Sequence, residues 1–138
     1  MSKNDEFVID GKILLEYRGD AENVIVPEGV EYISAAAFMG SDFKSVVLPQ
    51  ALKCISEAAF KDCKNLRQIA IPERTERISL WAFDGCSSLE SVNFININKI
   101  LIEQGAFRNT LWATSNAAKN IQYQIPLTYK LANFDPIS

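Results

Sequence analysis

The sequence predicts a solenoid, in which β-rich repeats wind through about four stacked coils. Three independent markers recur with one period of about 23 residues. The first marker is an Ala-Phe pair, whose phenylalanines follow one another at steps of 22, 23 and 24 residues. Its copies are Ala37-Phe38, Ala59-Phe60, Ala82-Phe83 and Ala106-Phe107. Because a single repeat cannot bury its apolar face alone, the repeats are expected to stack and share one core.

The second marker is a short apolar strand that ends at a proline. Its copies are Val24-Ile25-Val26-Pro27, Val46-Val47-Leu48-Pro49 and Ile69-Ala70-Ile71-Pro72, and a fourth copy, Val92-Asn93-Phe94-Ile95, has isoleucine in place of proline. Strand periodicity predicts that the two outer apolar residues of each copy face the core and the middle one faces away. Proline ends the strand because it has no N–H group to donate to the ladder.

The third marker is an isoleucine five residues before each phenylalanine, at Ile33, Ile55, Ile78 and Ile102. It predicts a second extended piece in every coil. The runs ISAAAF and ISEAAF follow, and their serine is placed to cap a short helical or 3-10 turn that carries the phenylalanine inward.

The two ends of the chain predict caps. Asp10-Gly11 between two apolar runs is typical of a tight β-hairpin, so residues 1–22 are expected to form an N-terminal hairpin cap before the repeats at 23–112. Residues 113–138 are expected to form a C-terminal cap and tail, all within a single domain 1–138. Ile121, Tyr123 and Ile125 alternate, which predicts one more strand ended by Pro126. That strand either caps the core or presents an edge that pairs with another copy.

The cysteines are predicted to be reduced and structural. Cys63 and Cys86 hold equivalent places one repeat apart, so they are expected to be neighbours in the stack. Strand spacing makes a disulfide geometrically conceivable. Packing is favoured because Ser41 and Thr110 hold the same place in the other copies, which indicates a need for a small side chain. Cys54 has no cysteine at its equivalents and is expected to be exposed.

The combined pattern I-P-x-x-V-x-x-I-x-x-x-A-F-x-x-C-x-x-L resembles the BspA-like leucine-rich repeats, which are common in bacterial surface and host-associated proteins. The resemblance covers roughly residues 7 to 112. It implies a leucine-rich-repeat solenoid and a role in adhesion or host contact. The opening hairpin matches at Asp10-Gly11, Leu14, Tyr17 and Gly19, and Thr110-Leu111-Trp112 is similar to the close of terminal repeats in this family.

The chain departs from the family pattern in a few places. One repeat position is apolar in the first two copies, Val30 and Leu52, but is occupied by Thr75 and Lys99 in the next two. The fourth repeat also carries one extra residue within 96–99. These departures predict an irregular last coil.

Composition argues against several classes of function. The chain has 138 residues, a net charge of -3 and no histidine, which disfavours nucleic-acid binding and removes the commonest general base and metal ligand. The sequence contains no CxxC, P-loop, GxGxxG or SxxK motif. We therefore predict a non-enzymatic protein without cofactor or metal.

The sequence also bears on location. No apolar run is long enough to span a membrane, and MSKNDEF lacks the apolar region of a signal peptide. A cytoplasmic location is therefore expected for the chain as written, and a surface location if a leader was trimmed.

Residues that the repeat leaves free are the candidate contacts with a protein partner. One outward series is Ile25, Val47, Ala70 and Asn93, whose apolar members form a stripe that favours either an interaction site or merely strand formation. A second series contains Tyr32 and Arg77, residue types enriched in binding hot spots. A third series, Glu31, Lys53, Glu76 and Ile100, alternates in charge over its first three members, which favours a solvated structural ladder of ion pairs across neighbouring strands over a binding site. The expected state is a monomer or weak homo-oligomer, and the alternative function is self-association through the strand at 121–125.

Overall fold

The computed structural model describes residues 6–124, which form a β-solenoid of about four turns. The strands are β1 (Phe7–Asp10), β2 (Ile13–Tyr17), β3 (Asn23–Ile25), β4 (Tyr32–Ile33), β5 (Ser45–Val47), β6 (Cys54–Ile55), β7 (Gln68–Ile71), β8 (Arg77–Ile78), β9 (Ser91–Phe94), β10 (Leu101–Glu103) and β11 (Tyr123–Gln124). One-turn 3-10 helices lie at Ile97–Lys99, Trp112–Thr114 and Ala117–Asn120. The predicted solenoid is confirmed.

Each coil contributes strands to two sides of the solenoid. One side is a seven-stranded sheet in the order β1-β2-β4-β6-β8-β10-β11, in which β1 and β2 form the predicted antiparallel hairpin and all other neighbours are parallel. The other side consists of two parallel pairs, β3–β5 and β7–β9, which we call the lateral strands. The third sequence marker lies in register through this sheet, because Ile33, Ile55, Ile78 and Ile102 pair from strand to strand and are buried.

The phenylalanines of the Ala-Phe marker form a continuous column through the core. The ring centroids of Phe38, Phe60, Phe83 and Phe107 are 4.9, 5.0 and 5.1 Å apart in successive pairs, and the planes deviate by at most 4°. Tyr17 closes the column at the N-terminal end at 5.3 Å from Phe38, and Trp112 closes it at the other end at 4.7 Å from Phe107. The period of about 23 residues is thus the length of chain that returns a phenylalanine to the same place one strand spacing further on.

A turn is present at the predicted place before each phenylalanine, but it does not continue into a helix. The segments form hydrogen-bonded turns, such as that from the Ala59 N–H to the Ser56 carbonyl at 3.1 Å. Ala36, Ala58 and Trp81, two residues before successive phenylalanines, have positive φ, as do Gly40, Asp62, Gly85 and Asn109, two residues after. A residue with positive φ reverses the chain direction and cannot continue a right-handed helix. Two such residues in each coil produce the corner that carries the phenylalanine inward.

Cys63 and Cys86 are free thiols that are fully buried in the core, as predicted for packing residues. Each thiol donates a hydrogen bond to a backbone carbonyl of the preceding coil, Cys63 to Phe38 at 3.2 Å and Cys86 to Phe60 at 3.0 Å. A hydrogen bond with Cys86, together with burial, raises the pKa of the Cys63 thiol well above its usual range. A thiol in this state is a poor nucleophile because the thiolate is the reactive form. Cys54 is half-buried rather than exposed.

The departures from the repeat pattern have local explanations. Thr75 is buried, but its hydroxyl donates a hydrogen bond to the Leu52 carbonyl at 3.0 Å, so the polar group is satisfied. Lys99 is exposed, and Ile100 packs against the core instead because of the extra residue in this coil. The irregularity predicted for the last coil is present at this corner. The chain then returns to the sheet as β11, and the predicted continuation of that strand through Ile125 to Pro126 lies outside the described residues.

Candidate partner-binding face

The outward side of the lateral strands presents an apolar surface. Ile25 in β3 and Val47 in β5 are register partners on neighbouring strands, and their side chains are 71% and 57% exposed. Their chain neighbours Val24 and Val46 are buried, so the alternation predicted from strand periodicity is present. Ala70 and Asn93 are exposed register partners in β7 and β9. We call these four residues the lateral stripe.

A groove lies where the two lateral pairs meet. It has a volume of about 720 Å³ and includes Val47 of β5 and Ala70 of β7. Because β5 and β7 belong to separate sheets, the ladder is interrupted at this point. The other apolar lining residues are Val46, Leu48, Ala51, Pro72 and Ile95, and the charged ones are Glu28, Glu73 and Arg74. The lateral stripe therefore continues into a concave apolar surface with charges of both signs beside it.

Tyr32 and Arg77 lie on the seven-stranded sheet, not on the lateral strands. They flank Cys54 in register, with Tyr32 exposed and Arg77 half-buried. The Arg77 Nη2 atom lies 2.8 Å from Oε2 of Glu103, a buried carboxylate whose Oε1 accepts the Leu80 N–H at 3.1 Å. The six residues predicted as contacts are thus divided between the lateral strands and the seven-stranded sheet, on two sides of the solenoid, and Arg77 is held in an ion pair.

Sequence reasoning missed Glu103. The residue after the ladder isoleucine is Ser34, Ser56 and Ser79 in the first three coils and Glu103 in the fourth. That break in the serine column is the only sequence signal for the ion pair. Since burying a carboxylate without a counter-charge is unfavourable, the pair with Arg77 explains why glutamate is tolerated there.

The predicted ladder of alternating charges is present at its N-terminal end. Glu31 accepts a hydrogen bond from Lys53 at 3.0 Å and another from Lys12 at 3.0 Å. Lys12 is not part of the predicted ladder. Hydrogen bonds from the two ammonium groups hold the pKa of Glu31 below its usual value, and the bond to Glu31 raises the pKa of Lys53. Glu31 is half-buried, but the side chains of both lysines are open to solvent, and ion pairs that solvent reaches contribute little to stability. Their role is to join neighbouring coils on a solvated face.

A second feature that the sequence analysis missed surrounds Trp81. This half-buried tryptophan has φ of 61°, whereas its equivalents in the other coils are Ala36, Ala58 and Gly105. The Lys61 Nζ and Arg108 Cζ atoms each lie 5.7 Å from the ring centroid. A Cβ atom at Gly105 would lie 2.9 Å from Trp81 Cδ1, so glycine is needed beneath the ring. Trp81 therefore packs along three successive coils, beside a groove of about 550 Å³ that also includes Tyr123.

Arg108 is itself fixed by Asp84. Its Nη2 and Nε atoms donate to the two carboxylate oxygens at 2.8 and 3.3 Å, and the Asn109 amide donates to Oδ1 at 3.0 Å. The hydrogen bond from Arg108 lowers the pKa of Asp84, and the same contact raises the pKa of Arg108. This arrangement orients the guanidinium over Trp81.

Within residues 6–124, no group of three or more His, Cys, Asp or Glu side chains is placed to hold a metal ion. The helices of this part of the chain are all too short or too polar to cross a membrane. The described surface presents apolar side chains on the lateral strands and charged side chains around Trp81.

Comparison with known families agrees with the repeat architecture. The family model of the BspA type leucine rich repeat region matches residues 14–126 in six copies. The seven-stranded sheet likewise contains six mutually parallel strands, from β2 to β11. Searches of the curated proteins and of the solved structures return no significant match. With the family model spanning most of its length, the chain belongs to the BspA-type leucine-rich-repeat family.

Proposed function

We propose that the protein is a non-enzymatic binding module whose lateral stripe and adjoining groove contact a protein partner. The repeat family indicates a protein that mediates protein interactions, and proteins built from this repeat are typically not enzymes. Stacked repeats build an extended surface, which suits a macromolecule better than a small substrate. Adhesion or host contact, which the family resemblance implies, is the setting we propose for this binding.

The observation that carries the proposal is the exposure of Ile25 and Val47 side by side. Either residue alone would be ordinary, since single apolar side chains are common on protein surfaces. Here they are paired on neighbouring strands and continue through Ala70 into the groove. Contiguous apolar surface of this kind marks interaction sites. Tyr32 and Arg77 are a secondary contact in this proposal, because they lie on the seven-stranded sheet and not on the lateral strands.

The test uses a matched pair of variants, Val47→Arg and Leu111→Arg. Val47 and Leu111 are 57% and 54% exposed, but Leu111 lies outside the lateral stripe. Each variant and the unmodified protein is immobilised, and proteins retained from bacterial and host extracts are quantified by mass spectrometry. Candidates retained by the unmodified protein and by Leu111→Arg are then purified, and their Kd values for all three proteins are measured. The proposal is wrong if purified partners bind Val47→Arg as tightly as the unmodified protein.

Self-association is the second candidate function. The observation that favours it is the position of β11, which is the last strand of the seven-stranded sheet among residues 6–124. A strand at a sheet edge has unpaired backbone groups that favour pairing with another chain. Light scattering at several protein concentrations tests this role. A mass that stays monomeric at every concentration argues against it.

A further inference from the structure

The core is incompletely covered at the C-terminal end of the solenoid. Val92 and Phe94 of β9 are half-buried, whereas Ile69 and Ile71, which hold the same register positions one coil earlier, are 3% and 0% exposed. The difference arises because β9 covers β7, while no strand within residues 6–124 lies beyond β9. These apolar side chains therefore lack a covering layer.

A groove of about 590 Å³ lies over them, which we call the end groove. Its apolar lining includes Phe94, Ile97, Ile100, Trp112 and Ile121. In a regular fifth coil, a lateral strand would fill this space. The chain between β10 and β11 forms one-turn 3-10 helices there instead, whose buried side chains are those of Trp112 and Ala118. The end groove is the place of the missing lateral strand.

The end groove also has a backbone edge beside it. In the described part of the chain, β9 is hydrogen-bonded to a strand on its β7 side only. An edge of this kind accepts an additional extended strand, whose backbone bonds to the edge while its side chains enter the neighbouring pockets. The occupant that fits is an extended segment with apolar side chains on one face.

We propose that the occupant is the chain's own segment 125–138, which adds a lateral strand next to β9. The described chain ends at Gln124, and Ile121 and Gln122 just before it already line the end groove. Of the 14 residues that follow, the first three extend to roughly 10 Å, which matches the spacing of packed sheets and leaves the rest of the segment for the strand. Tethering also gives this segment an effective concentration of order mM, which a separate partner does not have.

The sequence of the segment after Pro126 has the required pattern. Leu127, Tyr129 and Leu131 alternate with Thr128 and Lys130. On an extended chain, one face would be apolar and the other would carry the polar side chains. The apolar face suits the end groove, and the polar face suits solvent.

The first test compares the full chain with a protein that ends at Gln124. Removal of the segment is expected to speed hydrogen exchange of the β9 amides at Val92–Phe94 by about tenfold or more, and to increase binding of an apolar dye. A synthetic peptide of residues 125–138 should restore protection and shift the indole resonance of Trp112. Equal exchange rates in the two proteins overturn the proposal.

The second test keeps the chain at full length and uses the matched variants Leu127→Asp and Thr128→Asp. Both add the same charge, one on the apolar face and one on the polar face. Leu127→Asp is expected to speed β9 exchange, while Thr128→Asp leaves it unchanged; equal effects overturn the proposal. Protection of β9 that falls on dilution, with a dimer in sedimentation, shows that a second copy fills the groove and also overturns it. Because both variants keep the full chain, this comparison tests the proposal even if the truncated protein does not fold.

Discussion

The rings of Phe60 and Phe83 lie parallel, with an interplanar angle of 2° and centroids 5.0 Å apart. Each belongs to a different coil and both are fully buried. Phe83 repeats this contact with Phe107 on its other side. Its side chain therefore joins three coils, and its removal weakens the contacts with both neighbouring coils.

Replacement of Phe83 by alanine is expected to reduce the free energy of unfolding by about 3–5 kcal/mol, because it removes a large apolar side chain and leaves a cavity between two neighbouring rings. Urea unfolding followed by circular dichroism measures the loss. Met39→Ala, which truncates an exposed side chain, is the control and should change stability by at most about 0.5 kcal/mol. A loss below about 1 kcal/mol for Phe83→Ala would contradict the stacked column.

The features of the core that repeat in the sequence could be predicted from it. Ile55 and Phe60 recur in every coil because a parallel stack places equivalent residues above one another. Any position that points inward is therefore constrained in all copies at once. The same logic identified the outward lateral stripe, since an alternating strand that buries Val24 must expose Ile25.

The features that occur in only one coil could not be predicted. The pair of Arg77 and Glu103 depends on a single departure from the serine column, and its two members are 26 residues apart. Trp81 stands where other copies have alanine or glycine, and nothing in a repeat pattern distinguishes a bulky residue in a turn from one in a helix. The positive φ of Ala58 was missed because alanine usually favours helices.

Ala58→Gly is expected to stabilise the protein by roughly 0.5–1 kcal/mol. Ala58 has φ of 57°, a conformation that strains an L-residue through its Cβ atom, whereas glycine adopts it freely; the greater entropy of glycine in the unfolded chain offsets part of the gain. Thermal and urea unfolding measure the change.

The neighbouring variant Ala59→Gly is the matched control for Ala58→Gly. Ala59 is fully buried and does not have positive φ. Its replacement removes a packed methyl group and adds unfolded-state entropy, so a loss of about 1 kcal/mol or more is expected. If both variants lose stability to the same extent, the positive φ of Ala58 does not strain the folded state.

The three thiols are expected to react with alkylating reagents at very different rates. Cys63 and Cys86 are fully buried, and the pKa of the Cys63 thiol is raised, so both should remain unlabelled until the protein unfolds. Cys54 is half-buried on β6 and should react first. Mass spectrometry after timed labelling in the native state and in denaturant measures the difference. Rapid native labelling of Cys63 and Cys86 would contradict their place in the core.

Asp84→Asn is expected to destabilise the protein at about pH 7 and to matter less in acid. The hydrogen bond from Arg108 lowers the pKa of Asp84 in the folded state, whereas the unfolded chain has the usual aspartate pKa near 3.9. The folded state thus binds fewer protons between these two values. The stabilisation by the carboxylate is therefore fully present above about pH 4 and is lost as the pH falls through the lower folded pKa.

Urea unfolding at a series of pH values from about 7 to about 3 measures the effect of Asp84→Asn. The difference in unfolding free energy between the unmodified protein and the variant should shrink on acidification. Glu57→Gln is the control, since Glu57 is exposed and the structure records no ion pair for it in the described part of the chain; its effect should be small at every pH. A difference for Asp84→Asn that stays constant, or grows as the pH falls, would mean that the bond to Arg108 does not stabilise the fold.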